Sequence, residues 1–259
     1  EEKVFDPSGA VTYEFAVKHY NTNINMYHYT VVQDDGYVRG FVGNWQVGSG
    51  RIEWQSVYLP GAPNDVVQRM NEMQLAPGKR ETRTEISRAG QLEITAVTRA
   101  ERKGSAQAEL PATPATPELA RLGRGGIWNE SESFTVDGQP ETIQMTGRAR
   151  WTSGGRALLY EGVIHGKGKK EYFMWIKTFD RETKVYRFIH FHTDGPVDHF
   201  EGKWEEATKT ITWRSIQPPG EYLIRETFVS PTHRNWHIEA YDDQGKTYHT
   251  SDGESRLQE

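Results

Sequence analysis

The chain contains no cysteine. That single absence excludes disulfides, cysteine nucleophiles and thiolate metal sites together. It leaves the compartment open, export from a bacterial cell included. Long apolar runs are missing as well. Nothing approaches the roughly 20 consecutive apolar residues of a membrane helix. There is no long basic run, and a net charge of −5 with an isoelectric point near 6.0 argues against a general nucleic-acid surface. No nucleophile elbow, phosphate loop or His-Glu-x-x-His helix occurs, so no recognisable catalytic motif is present. The chain opens Glu1-Glu2-Lys3-Val4-Phe5, with neither Met nor a signal peptide, as expected of a processed or truncated form.

What is abundant points to β structure. Trp, Tyr and Phe supply 12% of the residues and glycine numbers 25, a composition that suits short aromatic strands broken by turns. A length of 259 residues is comfortable for two domains. One sentence is written twice. "FVGNWQVGSGRIEWQSVYLPG" begins at Phe41, and "FEGKWEEATKTITWRSIQPPG" begins 159 positions later at Phe200. At that offset residues 12–61 fall on 171–220 without a gap, and fourteen of the fifty pairs are identical. They include Lys18/Lys177, Tyr27/Tyr186, Gly43/Gly202, Trp45/Trp204, Trp54/Trp213 and Ser56/Ser215. Further on, "RET" at Arg80–Thr82 answers "RET" at Arg225–Thr227. A repeat this long reads as a duplicated domain.

Aligning the two RET motifs leaves extra residues in the first half. There, Val66, Val67, Met70 and Met73 follow an Asn/Asp start signal at helical spacing, which predicts a short amphipathic helix over 63–75. Residues 104–125 are rich in Pro, Ala and Gly and read as a linker. The domains are therefore 1–103, a first barrel-like repeat, and 126–259, a second and complete one. The second has about 40 residues ahead of the shared part and the first only about 11, so the first barrel is expected to be incomplete.

Alternation along the strands assigns faces. Ile52, Trp54 and Ser56, like Ile211, Trp213 and Ser215, are kept between polar neighbours and should point inward. In "KRETRTEIS" the set Glu81, Arg83 and Glu85 faces water, which turns Arg80 inward and, through the repeat, Arg225. An inward arginine needs a partner, because an unpaired buried charge is costly. It either stacks on an inner tryptophan to plug one barrel end or receives the acidic head of a ligand.

Gly43-Asn44-Trp45 and Gly202-Lys203-Trp204, with an inner arginine on a later strand, resemble the Gly-x-Trp and arginine closure of lipocalin-type barrels, although the order of elements differs. From Ile127 to Leu257, "ESESFTVDGQPETIQMTG", "GGRALLYEG", "YFMWIKTFDRETKVYRF", "FEGKW" and "ITWRS" are similar to a bacterial lipocalin-like, calycin-type family known only as a domain of unknown function. The resemblance implies a small antiparallel barrel with a central cavity and brings no catalytic residues.

Candidate chemistry centres on "YRFIHFHTDG", where His190 and His192 share one strand face. Val31 aligns with His190, which points that face inward. A His-x-His strand can begin a metal site, but further ligands are needed. His165, His199 and His237 are available without being indicated, so no metal or cofactor is assigned. Glu161, in "LLYEGVI", is a candidate buried acid or a partner for Arg225. Phe173 and Trp175 fall opposite Tyr172, Met174 and Ile176, and read as an outer aromatic patch for a barrel–barrel or chain–chain contact.

The expected fold is all-β: two related lipocalin-like antiparallel barrels from an internal duplication. The leading function is binding of a small hydrophobic or amphipathic molecule in the second barrel, with apolar wall from Trp204, Trp213, Tyr186 and Met174 and polar anchors from His190, His192, Arg225 and Glu161. Two other readings stay open: an enzyme using His190, His192 and Glu161 for acid–base or metal chemistry, and a non-catalytic module with filled barrels that docks a partner at Phe173 and Trp175.

Overall fold

The computed structural model describes residues 2–5, 11–22, 24–33, 35–49, 51–58, 65–77, 79–101, 113–166, 170–192, 197–217 and 219–258. Positions 104–112 of the expected linker, and 63–64 of the expected helix, lie outside them. The chain divides into two compact units, 1–109 and 110–259, apart from the turn at 34–36.

The first unit is one antiparallel sheet of eight strands in chain order: β1 (Glu2–Phe5), β2 (Val11–Asn21), β3 (Met26–Gln33), β4 (Val38–Gln46), β5 (Arg51–Tyr58), β6 (Val66–Ala76), β7 (Lys79–Arg88) and β8 (Gln91–Glu101). It has edges, β1 and β8, and does not close among the described residues. The second unit starts with a single turn of helix, α1 (Pro117–Ala120). It continues through β9 (Gly126–Val136), β10 (Gln139–Trp151), β11 (Ala157–His165), β12 (Lys170–Asp180) and β13 (Val185–His192). β14 (Val197–Glu205), β15 (Thr210–Gln217), β16 (Pro219–Ser230), β17 (His233–Tyr241) and β18 (Thr247–Leu257) complete it. Each strand pairs with the next, and β18 returns to β9, so ten strands form a closed barrel. This up-and-down closure fits the calycin-type architecture implied by the sequence resemblance.

The helix predicted over 63–75 is not there. Residues 66–76 are β6, laddered to β5 and β7 on either side. Gln68 and Met70 are buried while Arg69 is exposed, a period of two. Short apolar runs fit either period, and here sheet partners on both sides supply backbone hydrogen bonds in place of those a helix would have made internally. The stretch 113–125, expected as linker, is also structured. α1 is capped by the Thr116 hydroxyl, which accepts from the Leu119 amide, and Leu119 and Leu122 enter the barrel core.

The register also corrects the inward arginine. Trp54 lies opposite Met70, and Trp213 opposite Ile224. Two residues further on are Glu72 and Glu226. Arg80 lies across from Gln74, and Arg234 across from Phe228, so Arg80 corresponds to Arg234 and not to Arg225. Each unit thus carries one Lys–Glu–Arg set on the same three strands: Lys18, Glu72 and Arg80 in the first, Lys177, Glu226 and Arg234 in the second. The lysines sit alike. Lys18 lies over the rings of Tyr29 and Trp54, and Lys177 over those of Phe188 and Trp213.

Two smaller features recur in both units. A Cβ on Gly43 would stand 2.5 Å from Trp54, and one on Gly202 would stand 2.4 Å from Trp213. The glycines let these indoles lie against the neighbouring backbone. Ser56 accepts a hydrogen bond from the Gln68 amide at 3.0 Å, and Ser215 from the Tyr222 amide at 2.8 Å. These serines therefore bind neighbouring backbone rather than a reactant.

Removing the shared carboxylate should be severe. Glu226→Ala strands Lys177, and a broken buried pair costs about 3–5 kcal/mol. Urea unfolding should show that loss, and a much smaller one for the double variant Lys177→Met/Glu226→Leu, which keeps the Arg234–Glu130 pair. A double variant at least as unstable as Glu226→Ala would refute the role assigned to the network.

Candidate ligand cavity of the second unit

The barrel encloses a cavity of about 450 Å³. Alternation puts Phe188, His190 and His192 of β13 on one line into it, with Phe173, Trp175 and Lys177 of β12 beside them. Met145, Phe200, Trp213, Ile224, Trp236 and Ile238 supply the remaining apolar wall. Ile143, Ile164, Lys170, Glu171 and Tyr172 also line it, and Tyr172 is 60% exposed, which marks the open mouth.

The opposite end is shut. Tyr186, the first inward residue of β13, donates to the Glu118 carbonyl of α1 at 3.1 Å. The Arg121 guanidinium lies 5.3 Å from the Trp204 ring, and the Trp128 indole donates to the Arg124 carbonyl at 3.2 Å. An arginine does cover a tryptophan at the barrel end, but instead of the expected Arg225 it is Arg121, over Trp204. It comes from the segment before the first strand, where no repeat could point to it.

The floor is charged and internally balanced. Lys177 Nζ reaches both Glu226 oxygens, at 2.8 and 2.6 Å. Arg234 bridges Glu226 at 2.9 Å and Glu130 at 2.7 Å. The Trp213 indole donates to Glu226 at 3.0 Å. Burial alone would raise the Glu226 carboxyl, but Lys177 and Arg234 outweigh it and hold it below the ordinary range. Burial strips Lys177 of hydration and pulls its ammonium down to about 8, against the opposing pull of Glu226. Burial and the neighbouring Glu130 keep the Tyr160 phenol protonated. Glu132, higher in the wall, is also pushed up by burial. At the mouth, His192 Nε2 lies 2.9 Å from Asp198 Oδ2, and the His190 and His192 ring centroids are 4.2 Å apart.

Of the residues the sequence nominates, the structure brings together His190, His192 and Trp213. Trp204 and Tyr186 belong to the closed end instead. Met174 points out of the barrel, since Phe173 and Trp175 on either side point in. The outer aromatic patch at Phe173 and Trp175 is thereby corrected: both face the cavity. Nearly every residue of "YFMWIKTF" is apolar, and its inward lysine mimics a solvent-facing one, so alternation gave the wrong phase. Glu161 is no buried acid. It sits outside, 3.6 Å from Arg150. Arg225 is outside too, paired with Glu239. The residues overlooked are Lys177, Glu226, Arg234 and Glu130. The identity Lys18/Lys177 was the available signal, since an exposed lysine has little reason to recur among tryptophans.

The class defined by this geometry is a closed antiparallel barrel with a one-ended internal cavity. No family model matches the chain, and no curated protein does. Among solved structures, an S-type phycobiliprotein lyase from Guillardia theta is similar, with a TM-score of 0.40 and 9% identity over 55% of this chain and 90% of the lyase. A protein of unknown function from the DUF3598 family of Nostoc punctiforme aligns over 99% of this chain and 93% of its own, with a TM-score of 0.34 and 13% identity.

His190 gives the barrel a pH dependence. Burial, with His192 and Lys177 nearby, holds its pKa well below the ordinary 6.5. Below that value the unfolded chain takes up a proton that the folded chain refuses. Stability is therefore lost as pH falls from 6.5 towards the folded pKa, by up to about 1.4 kcal/mol per pH unit. Melting curves from about pH 7.5 to about pH 5 should show this acid component in the parent protein and not in His190→Phe. Parallel curves for the two proteins would contradict it.

Proposed function

We propose that the second unit binds one small, partly apolar molecule inside its barrel. The observation that carries this reading is the cavity itself: about 450 Å³, walled largely by aromatic and aliphatic side chains, closed at one end and open at the other. Pockets of this size with a few placed polar groups are the usual form of small-molecule sites. The charges of the floor cancel among Lys177, Glu226, Arg234 and Glu130. A fully charged group placed there would find its counter-charge already taken. The ligand chemistry supported is a flat or elongated apolar body with uncharged hydrogen-bonding groups, its polar end towards His190, His192 and Glu132.

We also read the two units as copies of one ancestral unit. The shared Lys–Glu–Arg set, the paired Gly and Trp, and the paired serines support this. Among the described residues the second copy has the strands that close a barrel and the first does not, which favours the second for the binding role.

Titration with the uncharged apolar fluorophore N-phenyl-1-naphthylamine tests the reading. The parent protein should bind one equivalent. Ile164→Trp, which fills the mouth, should weaken binding at least tenfold, while the external changes Glu161→Ala and Arg225→Ala leave it unchanged. A parent protein that binds no probe, or an Ile164→Trp variant that binds normally, would overturn it.

A further inference from the structure

We infer that His190, His192 and Asp198 form a site for a divalent transition metal at the cavity mouth, with one coordination position open to the cavity. Three features of the ladder create it. His190 and His192 alternate on β13 and so present both imidazoles inward. Asp198 on β14 is the direct cross-strand partner of His190. One donor atom from each of the three lies within 4.8 Å of the others. The donors of a tetrahedral ion bound at about 2.0–2.1 Å stand roughly 3.4 Å apart. The present spread needs only a small closing movement to match it, and His192 and Asp198 are already in contact at 2.9 Å.

The His190 ring supplies an independent observation. It is enclosed by Phe173 and Phe188, with ring centroids at 5.8 and 6.1 Å. Among the described residues no hydrogen bond reaches it. Other histidines of this unit have polar partners: His165 with Thr146, and His237 with Asp252. The His190 ring lines the cavity with no protein hydrogen-bond partner among the described residues, which leaves a lone pair available to a bound ion. A hydrogen-bonded His192–Asp198 dyad explains two of the three residues and leaves His190 idle, whereas a metal uses all three.

The donor set selects the ion. Two imidazoles and one carboxylate suit zinc, cobalt, nickel or ferrous iron, and not calcium or magnesium, which take oxygen ligands. Three protein ligands leave a fourth position, and His190 and His192 aim it into the cavity, where a donor atom of a bound molecule or a water can occupy it. The inference builds on the cavity of the binding reading but not on its ligand.

Cobalt(II) is the probe. The full chain, freed of metal by a chelator, should take up one equivalent and develop the visible absorption of a four- or five-coordinate ion. His190→Ala and His192→Ala should each abolish that band, and Asp198→Asn should weaken binding at least tenfold. His237→Ala, which alters an exposed His–Asp pair outside the cavity, should bind as the parent does. The His192 side chain is 42% exposed, so its removal leaves the core packed, and circular dichroism should show this variant folded. No uptake by the parent protein, or uptake undiminished in His190→Ala/His192→Ala, would overturn the site. Fluorophore binding in chelator reports on the cavity separately, so failure of the metal site and failure of the binding reading give different results.

Discussion

The interior of the second unit depends on one buried carboxylate. Glu226 receives Lys177 from β12, Trp213 from β15 and Arg234 from β17, and Arg234 passes the connection on to Glu130 of β9. These strands lie around much of the barrel wall, so a single acid ties them together across the inside. Taking such charges from water costs several kcal/mol per ion, which only well-placed partners offset. The geometry here supplies them: two ammonium contacts, a guanidinium bridge and an indole donor. The aromatic rings around Lys177, with centroids at 4.6, 4.9 and 5.3 Å, add further attraction for the cation.

That network also sets the depth of the cavity. Below it the barrel is filled by Tyr186, Trp128, Leu119 and Leu122; above it the wall is lined by aromatics and then by histidines. Polarity therefore changes in layers along the barrel axis. A balanced charged layer, an aromatic layer and a mouth with imidazoles and Asp198 follow one another along β13 and its neighbours. The network closes the space by occupying it and leaves no net charge to attract an ion into the floor.

Much of the fold was legible, because strand patterning and repetition are local signals. The all-β class, the inward Trp54 and Trp213, and the His190–His192 face all follow from period two checked against the matching stretch of sequence. The failures share one cause. Polar residues on an inner face break the rule that polar means outside. Lys177 reversed the phase of β12, carrying Phe173, Trp175 and Met174 to the wrong sides. A three-letter coincidence then placed Arg225 where Glu226 and Arg234 belong, and it also made β6 look like an inserted helix. Arg121 was beyond reach for a different reason: its partner Trp204 lies more than eighty residues away, with no motif between them.

The seam between β9 and β18 has a further meaning. Phe134 pairs with Ser251, and Trp128 with Leu257, so the first and last strands of the unit are ordinary neighbours. Every other join in the barrel is a hairpin, cheap in chain entropy; this one alone brings together segments more than a hundred residues apart. Topologically the barrel is a ring, and its order in the sequence records only which strand is written first. A circular permutant linked across the seam and opened at the exposed turn 242–245 keeps all ten neighbour pairs. It moves the one slow, long-range closure to β17 and β18, so the same native barrel is reached by a different last step.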